Sequence, residues 1–283
     1  MTALSLPYDM GNAGDLLKHG WLAEWTAWWC ECVSSQLRFL DPFGGLPWTD
    51  SPSREVCRRV RELRPTMLGT VQCAGNQRYY GSGHLVRRTA EIAGGEPVVL
   101  VSDREGGALE ALLKSGLEPL ETPNFDPENS YSIFDAEVDG DLLLVDPFAR
   151  FLVDHAPEVI PKIDRLSKRM AVLLFVLDLD KENWVGQRYA ALKDLYFNRA
   201  WVARCPKLLN TSVRGESKHD AGVALLMPRE QHQSAQDQLS PRLLDYCRRL
   251  SEVLETEVTF EAPREDYPRR CIRKWLGLTH QAA

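Results

Sequence analysis

The sequence contains no apolar run near the roughly 18 residues that a membrane-spanning helix needs, so no transmembrane segment is expected. Residues Met1–Met10 lack a basic stretch followed by an apolar one, which predicts no secretory signal. The seven cysteines are odd in number and irregularly spaced; they do not read as a disulfide framework and fit a reducing compartment. Cys30 and Cys32 point to different faces of a helix, and no second pair follows at ligand spacing, so no metal site is assigned. Internal repeats and low-complexity tracts are also missing. An excess of positive charge is missing too: the net charge is −6, which argues against indiscriminate nucleic-acid binding. These absences leave a soluble, cytoplasmic globular protein with no membrane partner and a monomer as its simplest state.

What is present is an ordinary globular composition, 44% hydrophobic and 26% charged over 283 residues, enough for one sizeable core. Against the acidic whole, Arg54, Arg58, Arg59, Arg61 and Arg64 crowd one segment, followed by Arg78, Arg87 and Arg88. They read equally as a basic patch and as a solvated helix face.

Periodicity places a helix over Gly11–Val33, then a short strand over Leu37–Leu40 ending in Asp41-Pro42-Phe43-Gly44-Gly45. Residues 46–78 are polar, Arg-rich and interrupted by prolines, and read as an insertion. Further on, strands are expected at Pro97–Val101, Asp141–Val145, Met170–Leu177, Gly222–Met227 and Glu257–Glu261. Helices are expected at Gly83–Ala93, Ala108–Ser115, Val185–Phe197 and Leu239–Leu254. Strands alternating with helices at this spacing predict an α/β fold with a mainly parallel sheet. The eight tryptophans, several of them between Trp21 and Trp29, are assigned to packing.

Three of these strands end in an acid: Asp41, Asp103 and Asp146. Open α/β sheets bind ligands outside the carboxyl ends of their strands, and an acid after the second strand often holds ribose hydroxyls. Asp103 is therefore the ribose candidate, with Glu105 as the alternative. Gly44 and Gly45 would let a ligand approach the backbone closely. Asp146-Pro147-Phe148-Ala149 projects a carboxylate and an aromatic ring towards the same edge. An Asp there could hydrogen-bond an exocyclic amine while Phe148 stacks on a base. It also reads as a simple turn, and several strand-end acids together could hold Mg²⁺.

The motifs then resemble a known family. Gly11-Asn12-Ala13-Gly14-Asp15-Leu16-Leu17-Lys18-His19 is similar to the GNxxDxLKH opening of the RlmJ family of 23S ribosomal RNA adenine-N6 methyltransferases. Phe39–Gly45 stands where that family has its first cofactor loop, and Tyr80-Gly81-Ser82-Gly83 resembles its YPGSP segment. Asp146–Ala149 stands at its DPPY motif, and Gly222–Pro228 at its late strand. The resemblance runs through essentially the whole chain. It implies a Rossmann-like fold of the kind that binds S-adenosyl-L-methionine (SAM): residues 1–45 carry the opening motif and first strand, 46–78 a helical insertion, and 79–283 the rest of the domain. It implies a SAM site lined by His19, Phe43, Gly44, Ser82, Asp103, Asp126 and Asp146. Ser82 would face the methionine carboxylate, Asp103 the ribose and Asp126 the adenine amine. Lys18 and His19 would sit at the mouth, and Asp146, Phe148 and Lys18 would carry catalysis on an RNA base.

The departures are specific. Phe43 replaces the family's histidine, two glycines of the first loop are changed, and Asp-Pro-Phe-Ala lacks the second proline and final aromatic of DPPY. The same motif also resembles the fourth motif of the three-Cys-motif partner family. Three functions stay open on the sequence: an active SAM-dependent methyltransferase of a base amine, a SAM- or nucleotide-binding relative without methyl transfer, and a metal-dependent nuclease or phosphotransferase using Asp41, Asp103 and Asp146. Asp178 and Asp180, and Arg269, Arg270, Arg273 and Lys274, are weaker candidates for substrate or phosphate contact.

Overall fold

The computed structural model describes residues 10–73, 78–146, 155–177, 200–212 and 215–263. The chain starts with α1 (Ala13–Cys32), β1 (Gln36–Asp41), β2 (Trp48–Thr49), α2 (Arg54–Glu62), α3 (Met67–Cys73), β3 (Tyr79–Tyr80) and α4 (Ser82–Ile92). It continues through β4 (Glu96–Val101), α5 (Gly106–Lys114), β5 (Glu118–Pro119), β6 (Leu142–Val145), α6 (Ala156–Leu166) and β7 (Ala171–Leu177). A long hairpin, β8 (Trp201–Ser212) and β9 (Gly215–Leu226), precedes α7 (Ser240–Leu254) and β10 (Thr259–Glu261). The expected helix at Val185–Phe197 lies outside the described residues.

One sheet organises the molecule, in the order β10-β8-β9-β7-β6-β1-β4-β5. The block β5-β4-β1-β6-β7 is parallel throughout. Strand β9 then runs antiparallel to β7, β8 antiparallel to β9, and β10 antiparallel to β8. The parallel block has the strand order of doubly wound nucleotide-binding sheets, in which the chain winds outward from the first strand in one direction and then returns to wind in the other. Here that switch falls at β1. The reversed hairpin beyond β7 departs from the all-parallel dinucleotide-binding arrangement.

Successive side chains of a strand point to opposite faces, and each face has its own core. Phe39, Leu142, Leu144 and Leu173 join the apolar residues of α1, α4 and α7, whereas Leu40, Leu143, Val145 and Val172 pack with Ile160 and Ile163 of α6. Both faces are covered, as parallel sheets require. Val56, Val60, Leu63, Leu68 and Val71 from residues 46–78 belong to the first of these cores. The segment is therefore built into the domain and is closed at its base by the β2–β3 pair.

Helix α1 is buried almost all round, with Trp21, Trp25 and Trp28 fully enclosed. Its start is fixed by two reciprocal bonds. The Asn12 carboxamide oxygen accepts from the Asp15 amide at 2.9 Å, and the Asp15 carboxylate accepts from the Gly11 amide at 2.7 Å. This is the logic of a capping box. Gly20 has a packing reason: a Cβ there would lie 1.8 Å from the Tyr246 ring, whose hydroxyl donates to the Leu16 carbonyl.

The sequence missed the long β8, the short β2, β3 and β5, and α6. Trp201–Ser212 carries Pro206, Lys207 and Asn210, which hide a strand from propensity; its pairing with β9 shifts register between Cys205 and Leu208. Helix α6 contains Pro161 yet forms, with a second proline in its first turn.

Gly20→Ala is expected to lower stability by about 1–3 kcal/mol, the usual cost of overpacking a core. Gly106→Ala, where an added methyl meets nothing within 4 Å, should be neutral or slightly stabilising. Chemical unfolding of the two variants beside the wild type checks both.

Candidate functional site

The site is built where β1, β4 and β6 end. Asp41, the last residue of β1, is completely buried. It accepts a bond from the Phe43 amide at 3.0 Å and another from the Ser82 hydroxyl. Ser82 opens α4, whose N-cap Gly81 provides no side-chain cap, so the first amides of that helix are left for another acceptor. Burial pushes the Asp41 carboxyl up to about 7; the Ser82 and Phe43 bonds oppose the shift, nearby Asp146 adds to it and Lys18 again opposes it.

Asp146 follows β6 and meets α1 through Lys18. The Lys18 ammonium forms a short ion pair with Asp146 and a second one, at 3.0 Å, with Asp15. It also lies 5.6 Å from the centroid of the Phe175 ring on β7. Burial disfavours the ammonium, but the charges of Asp146 and Asp15 more than compensate and hold Lys18 protonated well above its ordinary range. Burial likewise raises Asp15, and the neighbouring Lys18 and His19, together with the Gly11 amide, bring it below the usual carboxylate range. Lys18 is thus a fixed cation and cannot act as a base.

The second loop is clasped by Asp103. Its two carboxylate oxygens accept from the Gly45 amide at 2.9 Å and the Glu105 amide at 2.8 Å. Gly44 donates to the Ser102 carbonyl at 2.8 Å, and a Cβ there would lie 2.8 Å from Leu112, so the room at Gly44 is taken by the protein itself. The half-buried Phe43 ring packs on Tyr131, with centroids 5.5 Å apart. Ser102 is buried, and among the described residues its hydroxyl has no hydrogen-bond partner.

Six of the expected site residues therefore gather at one edge: Lys18, Phe43, Gly44, Ser82, Asp103 and Asp146. Three others stand differently. His19 is not at a mouth; it is 3% exposed, with Nδ1 3.0 Å from the Tyr79 hydroxyl, and burial lowers it to about 4, so it is neutral near pH 7. Asp126 is exposed and accepts from the Glu128 amide at 3.0 Å, and none of its hydrogen bonds reaches the other candidates. Phe148 lies outside the described residues. The fold adds Asp15 as an ion-pair partner, and with it Tyr79, Tyr131, Phe175 and Ser102, none of which is a candidate on the sequence alone. The i,i+3 spacing of Asp15 and Lys18 was a legible signal; nothing local marked the others.

Among the described residues, no group of three or more His, Cys, Asp or Glu side chains is arranged to hold a metal ion. None of the described helices is long and apolar enough to cross a membrane.

Strand order, two covered faces and a polar edge at the switch point define a Rossmann-like α/β protein. Among solved structures, the chain is similar to protein LPL1258 of Legionella pneumophila strain Philadelphia 1, described by the family model DUF519. The TM-score is 0.61 at 13% identity, over 90% of this chain and 99% of that one. At that identity the likeness shows the shared fold. No family model and no curated protein matches the chain.

Asp41 yields a pH test. Its carboxyl sits above the ordinary value of 3.8, so its contribution to stability is full at low pH and is lost as pH rises through about 7. His19 and His84, both lowered to about 4, act in the opposite sense, losing stability as pH falls below 6.5. They are common to wild type and variant and cancel in the difference. The stability of Asp41→Asn relative to wild type should therefore improve steadily from pH 4 to pH 8. A pH-independent difference in urea unfolding would contradict the assignment.

Proposed function

We propose that this protein is a SAM-dependent methyltransferase acting on an exocyclic amine of an RNA base. The observation that carries the proposal is the placement of Lys18 and Asp146 together at the carboxyl edge of β6, next to the switch point of the sheet. The opening motif that resembles the RlmJ family supplies that lysine, and the Asp-Pro-Phe-Ala segment supplies that carboxylate. Adenine N6 is the amine the resemblance favours.

The residues present fit such a cofactor. The uncapped amides at the start of α4 suit a carboxylate. Asp103 follows the second strand of the parallel block, where sheets of this kind commonly hold ribose hydroxyls, which supports the reading. Phe43 and Tyr131 offer an aromatic surface nearby for a flat base. When bound, SAM supplies a methyl group on a positively charged sulfur.

In this reading Asp146 accepts a hydrogen bond from the substrate amine and turns its lone pair towards the methyl group. Lys18 fixes the direction of the Asp146 carboxylate. Asp41 stays behind the edge and holds Ser82 in place. Most of the rate then comes from alignment of the two reacting groups. A reading as a metal-dependent nuclease fares worse: Asp41 is tied to Ser82 and Phe43, Asp103 to two loop amides, and Asp146 to Lys18.

One observation favours a second reading, a SAM-binding relative without methyl transfer. The Lys18 ammonium already occupies Asp146, where a substrate amine would have to bond.

Thermal-shift measurements with SAM, S-adenosylhomocysteine, ATP and NAD separate these cases, because a ligand that binds the native state raises its stability. The proposal expects a response to SAM and S-adenosylhomocysteine. It also expects methyl incorporation into undermodified cellular RNA that falls at least about 100-fold in Asp146→Ala, the loss typical for removing a preorganised hydrogen-bond partner of the reacting group. Cofactor binding with no incorporation supports the second reading. Incorporation undiminished in Asp146→Ala overturns the role of Asp146.

A further inference from the structure

A second constellation lies just outside Ser82. The β2–β3 pair sets Trp48 directly opposite Tyr80, and residues so paired share one face of the ribbon. His84, in the first turn of α4, packs edge-on to Trp48 at 5.2 Å and tilted to Tyr80 at 6.4 Å. An arginine covers each outer ring: Arg78 lies 4.7 Å from the centroid of Trp48, and Arg88 lies 4.3 Å from that of Tyr80. Arg88 stands one helical turn after His84. The result is a ladder of Arg78, Trp48, His84, Tyr80 and Arg88.

The charges on this ladder differ from the arginines that α2 and α7 hold in carboxylate clamps. On α2, Arg58 is clamped by Glu55 and Glu62, and on α7 Arg248 is held by Asp245 and Glu252. Arg88 forms no ion pair among the described residues, and Arg78 pairs only with Asp50, which is largely exposed. Trp48 and Arg88 are each only partly buried, and among the described residues the buried Tyr80 hydroxyl has no hydrogen-bond partner. A guanidinium already held over an aromatic ring loses little further freedom when its remaining donors meet a phosphate. In a chain of net charge −6, this is a local positive surface backed by rings.

The ladder is also attached to the site. The Gly81 amide donates to the Pro47 carbonyl at 2.9 Å, which joins the two loops that carry Gly44-Gly45 and Ser82. We propose that Arg78, Trp48 and Arg88 form a docking platform for single-stranded RNA, with the arginines on phosphates and Trp48 on a base, leading a neighbouring base to Asp146. The choice of RNA rests on the function proposed above. The chemistry required, stacking beside basic groups, is that of proteins that bind single strands without reading sequence.

The test is fluorescence anisotropy of the full chain with a labelled oligouridine over a series of salt concentrations. Arg88→Gln should weaken binding by about three- to tenfold and reduce the log–log salt slope by about 0.7, the share of one phosphate contact on a single strand. Trp48→Leu should weaken binding by about tenfold with the slope unchanged, as loss of a stacked base requires. Arg248→Gln, on the self-paired face of α7, should behave as wild type. The platform is overturned if wild type does not bind the RNA, if Arg88→Gln and Trp48→Leu bind as wild type does, or if inorganic polyphosphate of equal charge binds equally well and is equally sensitive to Trp48→Leu. Unchanged thermal midpoints show that the variants fold. The S-adenosylhomocysteine shift, measured on the same proteins, separates the two ideas: RNA binding through the ladder without that shift upholds the platform and counts against the methyltransferase.

Discussion

The ammonium of Lys18, set between Asp15 and Asp146, is the constraint on which the site depends. Removing three charges from water is costly, and such a group is tolerated only when its members satisfy one another. Here the opposite charges are contributed by the first turn of α1 and the end of β6, so the group also fixes where α1 lies against the sheet. The rest of α1 is arranged to permit this. Its start is capped by Asn12 and Asp15, Gly14 admits the Phe175 ring, and Gly20 admits Tyr246. Shifting the helix by one residue would lose the cap, the two close approaches and the ion pairs together.

The three strand-end acids look equivalent in the sequence and are not equivalent in the fold. Asp41 is fully enclosed and held by a hydroxyl and an amide, so burial governs it and its proton is retained to about pH 7. Asp103 clasps two loops through backbone amides. Asp146 is partly open and faces a fixed cation. Environment thus separates a buried support, a clasp and an accessible acceptor, which is how one side-chain type serves several roles at one edge.

Much of this was legible in the chain. The apolar runs at Leu37–Leu40, Pro97–Val101 and Met170–Leu177 gave strands in nearly their observed places, and the acids after them marked the edge. Lys18 could be named because it stood in a recognisable motif. Strand β8 was not legible, since Pro206, Lys207 and Asn210 break its pattern and only pairing with β9 makes it a strand. His19 was placed at a mouth because its position in the motif says nothing about depth, and the fold sets it against Tyr79. Asp126 was placed by its distance from Asp146 along the chain. That distance carries no tertiary information, and the residue caps its own turn. Residues 46–78 read as a separate polar insertion because arginines and the prolines at 47, 52 and 65 interrupt their apolar residues, yet Val56, Val60 and Leu68 are core. Arg78 and Arg88 were visible as part of a basic patch, but the stacking of Trp48 and Tyr80 with them, and Tyr131 on Phe43, depends on segments brought together only by the fold.

The most direct test of this account is a double-mutant cycle between Lys18→Met and Asp146→Asn, read by chemical unfolding at neutral pH. If the ammonium ties α1 to β6, the two substitutions are strongly non-additive. Each alone leaves a charge without its main partner, and the coupling energy should be about 1–3 kcal/mol, within the range of residues in direct contact. Additive effects, with a coupling energy below about 0.3–0.5 kcal/mol as for independent sites, would mean that the pair does not hold the edge together and would remove the ground on which the site was assembled.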